Sequence, residues 1–366
     1  MNKKDLSEIK KTFKMDSVCL TNIGTCYISL QDGPMEVSIS RFLTLEEEVM
    51  LKYLEIAKKG LSGKFGKNLV NLSTNEKGLI GEGALVNAYQ EKNEESIKAL
   101  AESVFETYVS DTDYCLICLF GTYDVPHTTK ARDSFMDSEE VYNFMQFLIL
   151  PIKMSKPGLA YDRQAGGIFN KELYKELNAP DQSFLYPAFT DRSTDVDHVL
   201  YYSKNLSKGQ NELLSRFHAA VPQGPDEQQM KFRDIIEAGF GTKAPYEAVK
   251  GIFDTLTKKL IENTDSSIPA SIRTTDLVSL VKQEANYIDE EFNDEAAMQL
   301  LADKKGEDPI FIDNVLPGKL TIQAGEATIK IERDSLSNIR RQTIDGVDYY
   351  LVPAAGSEFE GIQTKR

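Results

Sequence analysis

Apolar positions recur along this chain with two different periods, and the changes of period divide it. Leu6, Ile9 and Phe13 fall on one stripe at helical spacing, predicting a helix over about Lys3–Phe13. "VCLTNIGTCYISL" and "MEVSIS" follow, both rich in β-branched residues, and the "QDGP" between them has the chemistry of a hairpin turn. Thr44, with Glu47 three residues on, reads as the N-cap of a helix whose apolar face is Val49, Met50, Tyr53, Leu54 and Ala57 and which stops near Gly60. The glycine-rich "GLSGKFGKN" then leads into a short strand, "LVNLS". Helices are predicted over Gly83–Glu91 and Glu94–Tyr108, and "YCLICLF", Tyr114–Phe120, reads as a strand buried on both faces.

After a polar loop, "VYNFMQFLILPIKMS" is helix or strand at its start and strand by its end, and "GLAYDRQAGGIFN" reads as a hairpin closed by Ala165–Gly167. The period turns helical from about Ser207, with segments at Asn211–Ala220, Asp226–Ala238, Tyr246–Glu262 and Thr274–Tyr287. Short strands return in "IFIDN", "KLTIQ", "ATIKIE", "NIRRQTI" and "VDYYLV", the last two joined at Asp345–Gly346. The pattern predicts a mixed α+β fold: an N-terminal α/β domain with an antiparallel-rich sheet (1–206), a helical region (207–305), a small β-rich module (306–355) and a loose tail (356–366).

Composition adds limits. The chain has 366 residues, 41% of them hydrophobic and 27% charged, as an ordinary globular protein has. Its longest apolar run, Phe147–Ile152, is far shorter than the ~20 residues that cross a bilayer, and no signal-peptide pattern opens the sequence, so the expectation is a cytoplasmic protein, with the nucleoid as one location, and no membrane contact. The net charge of −15 works against a generic coat on nucleic acid but leaves room for a local basic surface. Lys52–Lys67 holds five lysines and one glutamate, whereas Val281–Ile310 holds nine acids and three lysines.

Several residue groups invite a chemical reading. Cys115 and Cys118 form a C-x-x-C, but inside a strand residues three apart point to opposite faces, and no second pair or histidine stands near in sequence. Cys19 and Cys26 are seven apart and are separated in the same way. "GLSGKFGKN" has the glycines and lysines of a phosphate cradle, yet it lacks the Lys-Ser or Lys-Thr of a nucleotide loop and enters a strand where a helix N-terminus is needed. Its plainer reading is a helix end followed by a turn. His127 and His218 have no paired ligand in sequence, and neither hydrolase nor metalloprotease motifs occur, so neither metal nor cofactor is expected.

The densest polar group is Asp191–His198, with three aspartates, an arginine and a histidine between "FLYPAFT" and "VDHVLYY". As antiparallel strands, pairing Thr190 with Val196 places Tyr186 opposite Leu200 and puts His198 on the face of Tyr186, Leu200 and Tyr202, with Asp197 turned away. The group then reads as an Asp/Ser/Thr turn after an edge strand or bulge at Pro187, and Asp191, Arg192 and Asp195 at its tip are the candidates for contact with a ligand or partner.

The strings "GKNLVNLS", "YDVP", "LPIKMSKPGLAYD" and "FLYPAFTDRSTDVDHVLYYSKN" together resemble an uncharacterised family of low-GC Gram-positive bacteria, a domain of unknown function, over about Met1–Glu262. More distantly, the order of elements, and "ATIKIERDSLSNIRRQTIDGVDYYLVP" after the helix "IRTTDLVSLVKQ", is similar to the bacterial nucleoid-associated family NdpA/YejK. That second resemblance implies association with DNA or a DNA-handling partner such as a topoisomerase, and supplies no catalytic residue.

The reading carried forward is a non-enzymatic nucleoid-associated or DNA-transaction protein, able to form a homodimer. Its candidate phosphate contacts are Lys58, Lys59, Lys64, Lys67, Arg340 and Arg341, for each of which solvated surface charge is the plain alternative. Arg340 and Arg341 alternate faces on a regular strand. Two rivals stand beside it: an acidic module that binds a basic protein, and an enzyme that uses Asp191–His198.

Overall fold

Alternation in the strand beginning at Tyr114 sends Leu116, Cys118 and Phe120 to one side and Ile117 and Leu119 to the other, all fully buried. A strand apolar on both faces needs a layer on each side of its sheet, and the computed structural model supplies both. It describes all residues except 74–82, 127–139, 165, 209, 218–222, 265, 267, 304–308, 354–357, 360–361 and 364–366. These fall into two compact units, Met1–Gly224 and Pro225–Arg366. The fold is mixed α+β, as the pattern predicts.

The first unit runs α1 (Lys3–Lys11), β1 (Leu20–Ser29), β2 (Gly33–Arg41), α2 (Glu47–Lys59), β3 (Leu69–Ser73), α3 (Ala84–Glu91), α4 (Glu94–Thr107), β4 (Tyr114–Val125) and β5 (Glu140–Met154). It continues with β6 (Leu159–Asp162), β7 (Gly167–Asn170), β8 (Lys175–Leu177), β9 (Gln182–Tyr186), β10 (Ala188–Thr190), β11 (Ser193–Asp195), β12 (His198–Ser203) and α5 (Asn211–Arg216). The main sheet has the order β2-β1-β4-β5-β9-β12-β3, with β8 on the end of β5. All its pairings are antiparallel. Leu6, Ile9, Leu54 and Ala57 of α1 and α2 cover one face, and Val86, Ile97, Leu100, Val104 and Leu214 of α3, α4 and α5 cover the other.

One polar side chain interrupts this core for a reason. Gln146, fully buried in the middle of β5, donates from Nε2 to the Ala57 carbonyl (3.0 Å) and to Ser183 Oγ (3.1 Å). Ala57 lies in the last turn of α2, where carbonyls lack a partner within the helix. The sheet thus caps the helix and fixes where it ends. Gly60 follows directly, and a Cβ there would lie 2.6 Å from Leu148 and 2.8 Å from Ser183 Oγ.

The second unit has α6 (Pro225–Phe240), α7 (Tyr246–Glu262), the bridge strand β13 (Ser271–Ile272), α8 (Thr274–Tyr287), α9 (Asp294–Asp303), β14 (Ile310–Phe311) and α10 (Ile312–Val315). Two hairpins follow: β15 (Lys319–Ala324) with β16 (Ala327–Glu332), and β17 (Arg340–Ile344) with β18 (Val347–Leu351). A last short ladder pairs Glu358–Phe359 with Ile362–Gln363. Its core draws on α6, α7, α8 and the segment Ile310–Leu336. Buried Gln228 joins α6 to α10, its Oε1 accepting from the Phe311 N–H (2.9 Å) and from Asn314 Nδ2 (3.1 Å).

Several local expectations need correction. Glu46, and not Thr44, stands at the N-cap of α2. Thr44 closes a short 3-10 turn by donating Oγ1 to the Arg41 carbonyl (2.7 Å), which removes it from the helix start, and Val49 is exposed. The run from Glu140 is strand throughout, because β4 and β9 pair along it. "IFIDN" is strand for two residues and then a helical turn whose Ile312 and Val315 both reach the core. α9 lies in the acidic stretch, where charge hides its weak apolar face. His127 and His218 lie outside the described residues.

Candidate functional site

The lysines of "KKGLSGKFGK" are gathered by the fold at one end of the main sheet. With α2 fixed by Gln146, Lys58 and Lys59 occupy its last turn, where positive charge complements the helix dipole. The following loop turns at Gly63 and Gly66, both at positive φ (98° and 79°). A Cβ on Gly63 would strike the Asn68 side chain at 2.6 Å. Lys64 anchors the turn from its backbone, its carbonyl accepting from the N–H groups of Lys67, Asn68 and Leu69 at 2.9–3.1 Å. Its side chain remains exposed, as do those of Lys59 and Lys67. This is the helix end and turn of the plainer reading, with lysines on its outer side.

Asn68 ties the loop to a distant segment. Its side-chain Nδ2 donates to the carbonyls of Ser203 (3.2 Å) and Lys204 (3.3 Å), while the Ser203 N–H donates to the Asn68 carbonyl (2.9 Å). β12 ends here beside the start of β3, and Lys204 and Lys208 follow, both exposed. Six lysines therefore stand on two joined segments, and none is ion-paired among the described residues. Two of the acids nearby are engaged: Glu55 pairs with Lys52 at 3.2 Å, and Asp181 accepts from Tyr108 Oη (2.9 Å) and Gln182 Nε2 (2.8 Å). Burial, and then the Asp181 carboxylate, push the Tyr108 phenol well up, so this hydroxyl stays a donor. Lys204 and Lys208 were missed because they lie ~140 residues from the loop. The one signal was that "LVNLS" and "HVLYYS" suit each other as neighbouring strands.

Arg340 and Arg341 belong to the second unit and fall on opposite faces of β17, as alternation predicts. Arg341 is engaged by Asp348 (2.5 Å), whose carboxyl Thr343 and then Arg341 hold below its usual range. Arg340 is exposed opposite Leu351.

The hairpin Ala188–Asp195 sits at the other end of the main sheet, and its register differs from expectation. β10 and β11 close through only two residues, Asp191 and Arg192, with Thr190 opposite Ser193. Both turn residues have positive φ (51° and 64°), as a two-residue hairpin turn of type I′ requires. The Tyr186–Pro187 bond is cis, and Pro187 separates β9 from β10. Between β9 and β12, Leu200 faces Leu185 and not Tyr186. That slip of one residue moves Tyr186 to the α3–α5 side and leaves Leu200 under α1 and α2.

The polar tip is thereby redistributed. Arg192 pairs with Glu8 of α1 (2.9 Å), and Glu8 accepts from Tyr123 Oη (2.9 Å). Glu140 Oε1 accepts from the Thr194 N–H (2.8 Å) and Ser193 Oγ (3.1 Å), which hold its carboxyl below its usual range against burial. Asp191 is exposed. Asp195 Oδ1 lies 2.9 Å from His198 Nδ1, with 42% of the histidine and 20% of the aspartate side chain exposed. Burial raises the Asp195 carboxyl, but hydrogen bonds from His198 and Thr190 outweigh it and keep the group below the carboxylate range. The expected separation of Asp197 from His198 rested on a regular strand, and Asp197 lies in a turn. The turn at Val196–Asp197 breaks the strand and brings Asp195 back to His198.

The cysteines are free, with Cys26 and Cys118 in the core beneath α3–α5 and Cys115 packed against the opposite core. Burial raises the Cys118 thiol. Among the described residues no group of three metal-ligating side chains occurs, and no helix is long and apolar enough to cross a membrane.

Compared with known families, residues 1–362 match the family described as a domain of unknown function (DUF4317). No curated protein and no solved structure matches the chain.

Proposed function

We propose, for a chain that belongs to the DUF4317 family and inherits no assigned activity from it, a non-enzymatic role in DNA handling, with the lysine end of the first unit as the surface that meets the phosphate backbone. The observation that carries this reading is the joining of Lys58, Lys59, Lys64 and Lys67 to Lys204 and Lys208 by Asn68, without ion pairs among the described residues, in a chain of net charge −15. Unpaired lysines held together release counterions from phosphates, which yields binding that weakens with salt and reads no sequence. Arg340 is a secondary contact, and Arg341 drops out because Asp348 already holds it.

Fluorescence anisotropy with a labelled duplex, at low and at physiological salt, tests the reading. Binding at low salt is expected, and Lys64→Gln with Lys67→Gln should reduce the salt slope by about 2. No binding at low salt removes the proposal. Capture of a basic protein in its place would favour the acidic interaction module.

The Asp195–His198 contact favours an enzymatic second reading. A carboxylate on Nδ1 orients the imidazole and leaves Nε2 to exchange a proton with a ligand. Turnover of a hydrolase substrate panel that His198→Gln abolishes would support it, and no turnover by the wild-type protein would dismiss it.

A further inference from the structure

The loop after α2 leaves three successive backbone donors unused. Gly60, Leu61 and Ser62 give their N–H groups to carbonyls of Ile56, Lys58 and Lys59 in α2, and Gly66, Lys67, Asn68 and Leu69 give theirs to carbonyls of Leu69 and Lys64. Between them, the N–H groups of Gly63, Lys64 and Phe65 meet no acceptor among the described residues. Gly63 has positive φ (98°), and Lys64 does not. Such a reversal between neighbouring residues turns successive N–H groups to one side, where they form a concavity suited to an anion. Gly63 and Lys64 are exposed, so the concavity is open. Its frame is fixed: Phe65 packs on the core beneath α1 and α2, and Asn68 ties the loop to Ser203 and Lys204.

We propose that this concavity seats one phosphate group, whose oxygens accept from the N–H groups of Gly63, Lys64 and Phe65. The inference rests on the DNA surface proposed above and adds a seat to it, the group held being a phosphate of the duplex backbone. Donor number is the first reason. N–H groups presented together match the several acceptor oxygens of a phosphate, and hydrogen bonds to an anion are the strong ones. Charge is the second. Lys59, Lys64 and Lys67 of the same segment are exposed and without ion pairs among the described residues, and between Glu55 and Glu76 the sequence has no acid to repel a phosphate. The two kinds of donor divide the work. Lysine ammonium groups on flexible stems attract any phosphate along a duplex, whereas backbone N–H groups hold one phosphate at a fixed place.

Amide NMR of the full chain, isotopically labelled at glycine, lysine and phenylalanine and titrated with inorganic phosphate, reads the three donors directly. Phosphate should shift the signals of Gly63, Lys64 and Phe65 along one saturation curve, and sodium chloride at the same ionic strength should not. Lys64→Gln with Lys67→Gln should keep the shifts of Gly63 and Phe65 at weaker affinity, because the donors belong to the backbone. Gly63→Ala keeps every lysine and should weaken the response of Lys64 and Phe65 about tenfold, because alanine resists the positive φ that turns the N–H groups together. The rest of the spectrum, unchanged, would show that this variant folds. A short duplex should shift the same three signals as phosphate. Shifts by phosphate without shifts by the duplex keep the seat and remove the DNA surface. Absent shifts, equal shifts in chloride, or a wild-type response from Gly63→Ala overturn the seat, and duplex binding that persists in that case leaves the lysine surface standing without it.

Discussion

Asp191 and Arg192 carry the conformational cost of the hairpin tip, each at a backbone angle that L-residues reach at about 1–2 kcal/mol. Arg192 recovers part of that cost through Glu8 and the Pro126 carbonyl. Arg192→Ala keeps the strained angle and loses both partners, while Arg192→Gly loses the partners and relieves the angle. Urea unfolding should find the alanine variant less stable than the glycine variant by about 1 kcal/mol, and the reverse order would refute this account. Asp113 offers a second test, through pH. Tyr27 Oη, the Leu30 N–H and Lys175 all bond its carboxylate and hold it near a pKa of about 2, against an ordinary 3.8. A depressed carboxyl stabilises the fold fully above its unfolded value, and that stability is lost as pH falls through the folded value. The stability difference between wild type and Asp113→Asn should therefore be constant above about pH 4 and shrink toward pH 2. A difference that stays constant down to pH 2 would show that the charge on Asp113 contributes nothing.

At the scale of elements, the end of α2 positions the lysine loop, and two residues fix that end. Gly60→Ala drives a Cβ against Leu148, Ser183 and Gln146, an overpacking that costs about 1–3 kcal/mol. Gln146→Ala leaves the Ala57 carbonyl without its partner in a dry core, a loss of about the same size. Unfolding midpoints in urea should fall for both, and a wild-type midpoint for Gln146→Ala would show that the cap is unimportant. Elements with local causes were legible in the sequence. The period of 3.6 sets Tyr246–Glu262 and Thr274–Tyr287 at the observed ends, and turn residues mark the hairpins at Gly33 and at Asp345–Gly346. The Asp191–Arg192 turn was not legible: aspartate reaches positive φ more readily than most residues, but arginine gives no such signal, and an assumed wider loop slips the strands by one residue. The lysine end was half legible: its loop is dense in sequence, but Lys204 joins it only through the pairing of β3 with β12. Gln146 gave no sign of its role, since a lone glutamine in an apolar strand does not announce which carbonyl it serves.

The whole molecule divides where the chain passes from Gly224 to Pro225, and its apolar clusters respect that division. Among the described residues, both cores around the main sheet draw only on the first unit, and the third core draws only on the second. A unit with its own core on both faces of a sheet has what independent folding requires. A fragment ending at Gly224 should therefore fold and unfold cooperatively in urea, with a midpoint close to one of two transitions in the full chain. All six lysines of the proposed DNA surface lie in this fragment, whereas Arg340 and much of the acidic charge lie outside it. Losing Val281–Ile310, with its nine acids and three lysines, removes long-range repulsion of a polyanion without touching a lysine contact. The fragment should then bind duplex DNA at least as tightly as the full chain at low salt, the two converging as salt screens the repulsion. A fragment that folds but has lost DNA binding would move the surface into the second unit. One that cannot fold would show that the two units depend on each other despite their separate cores.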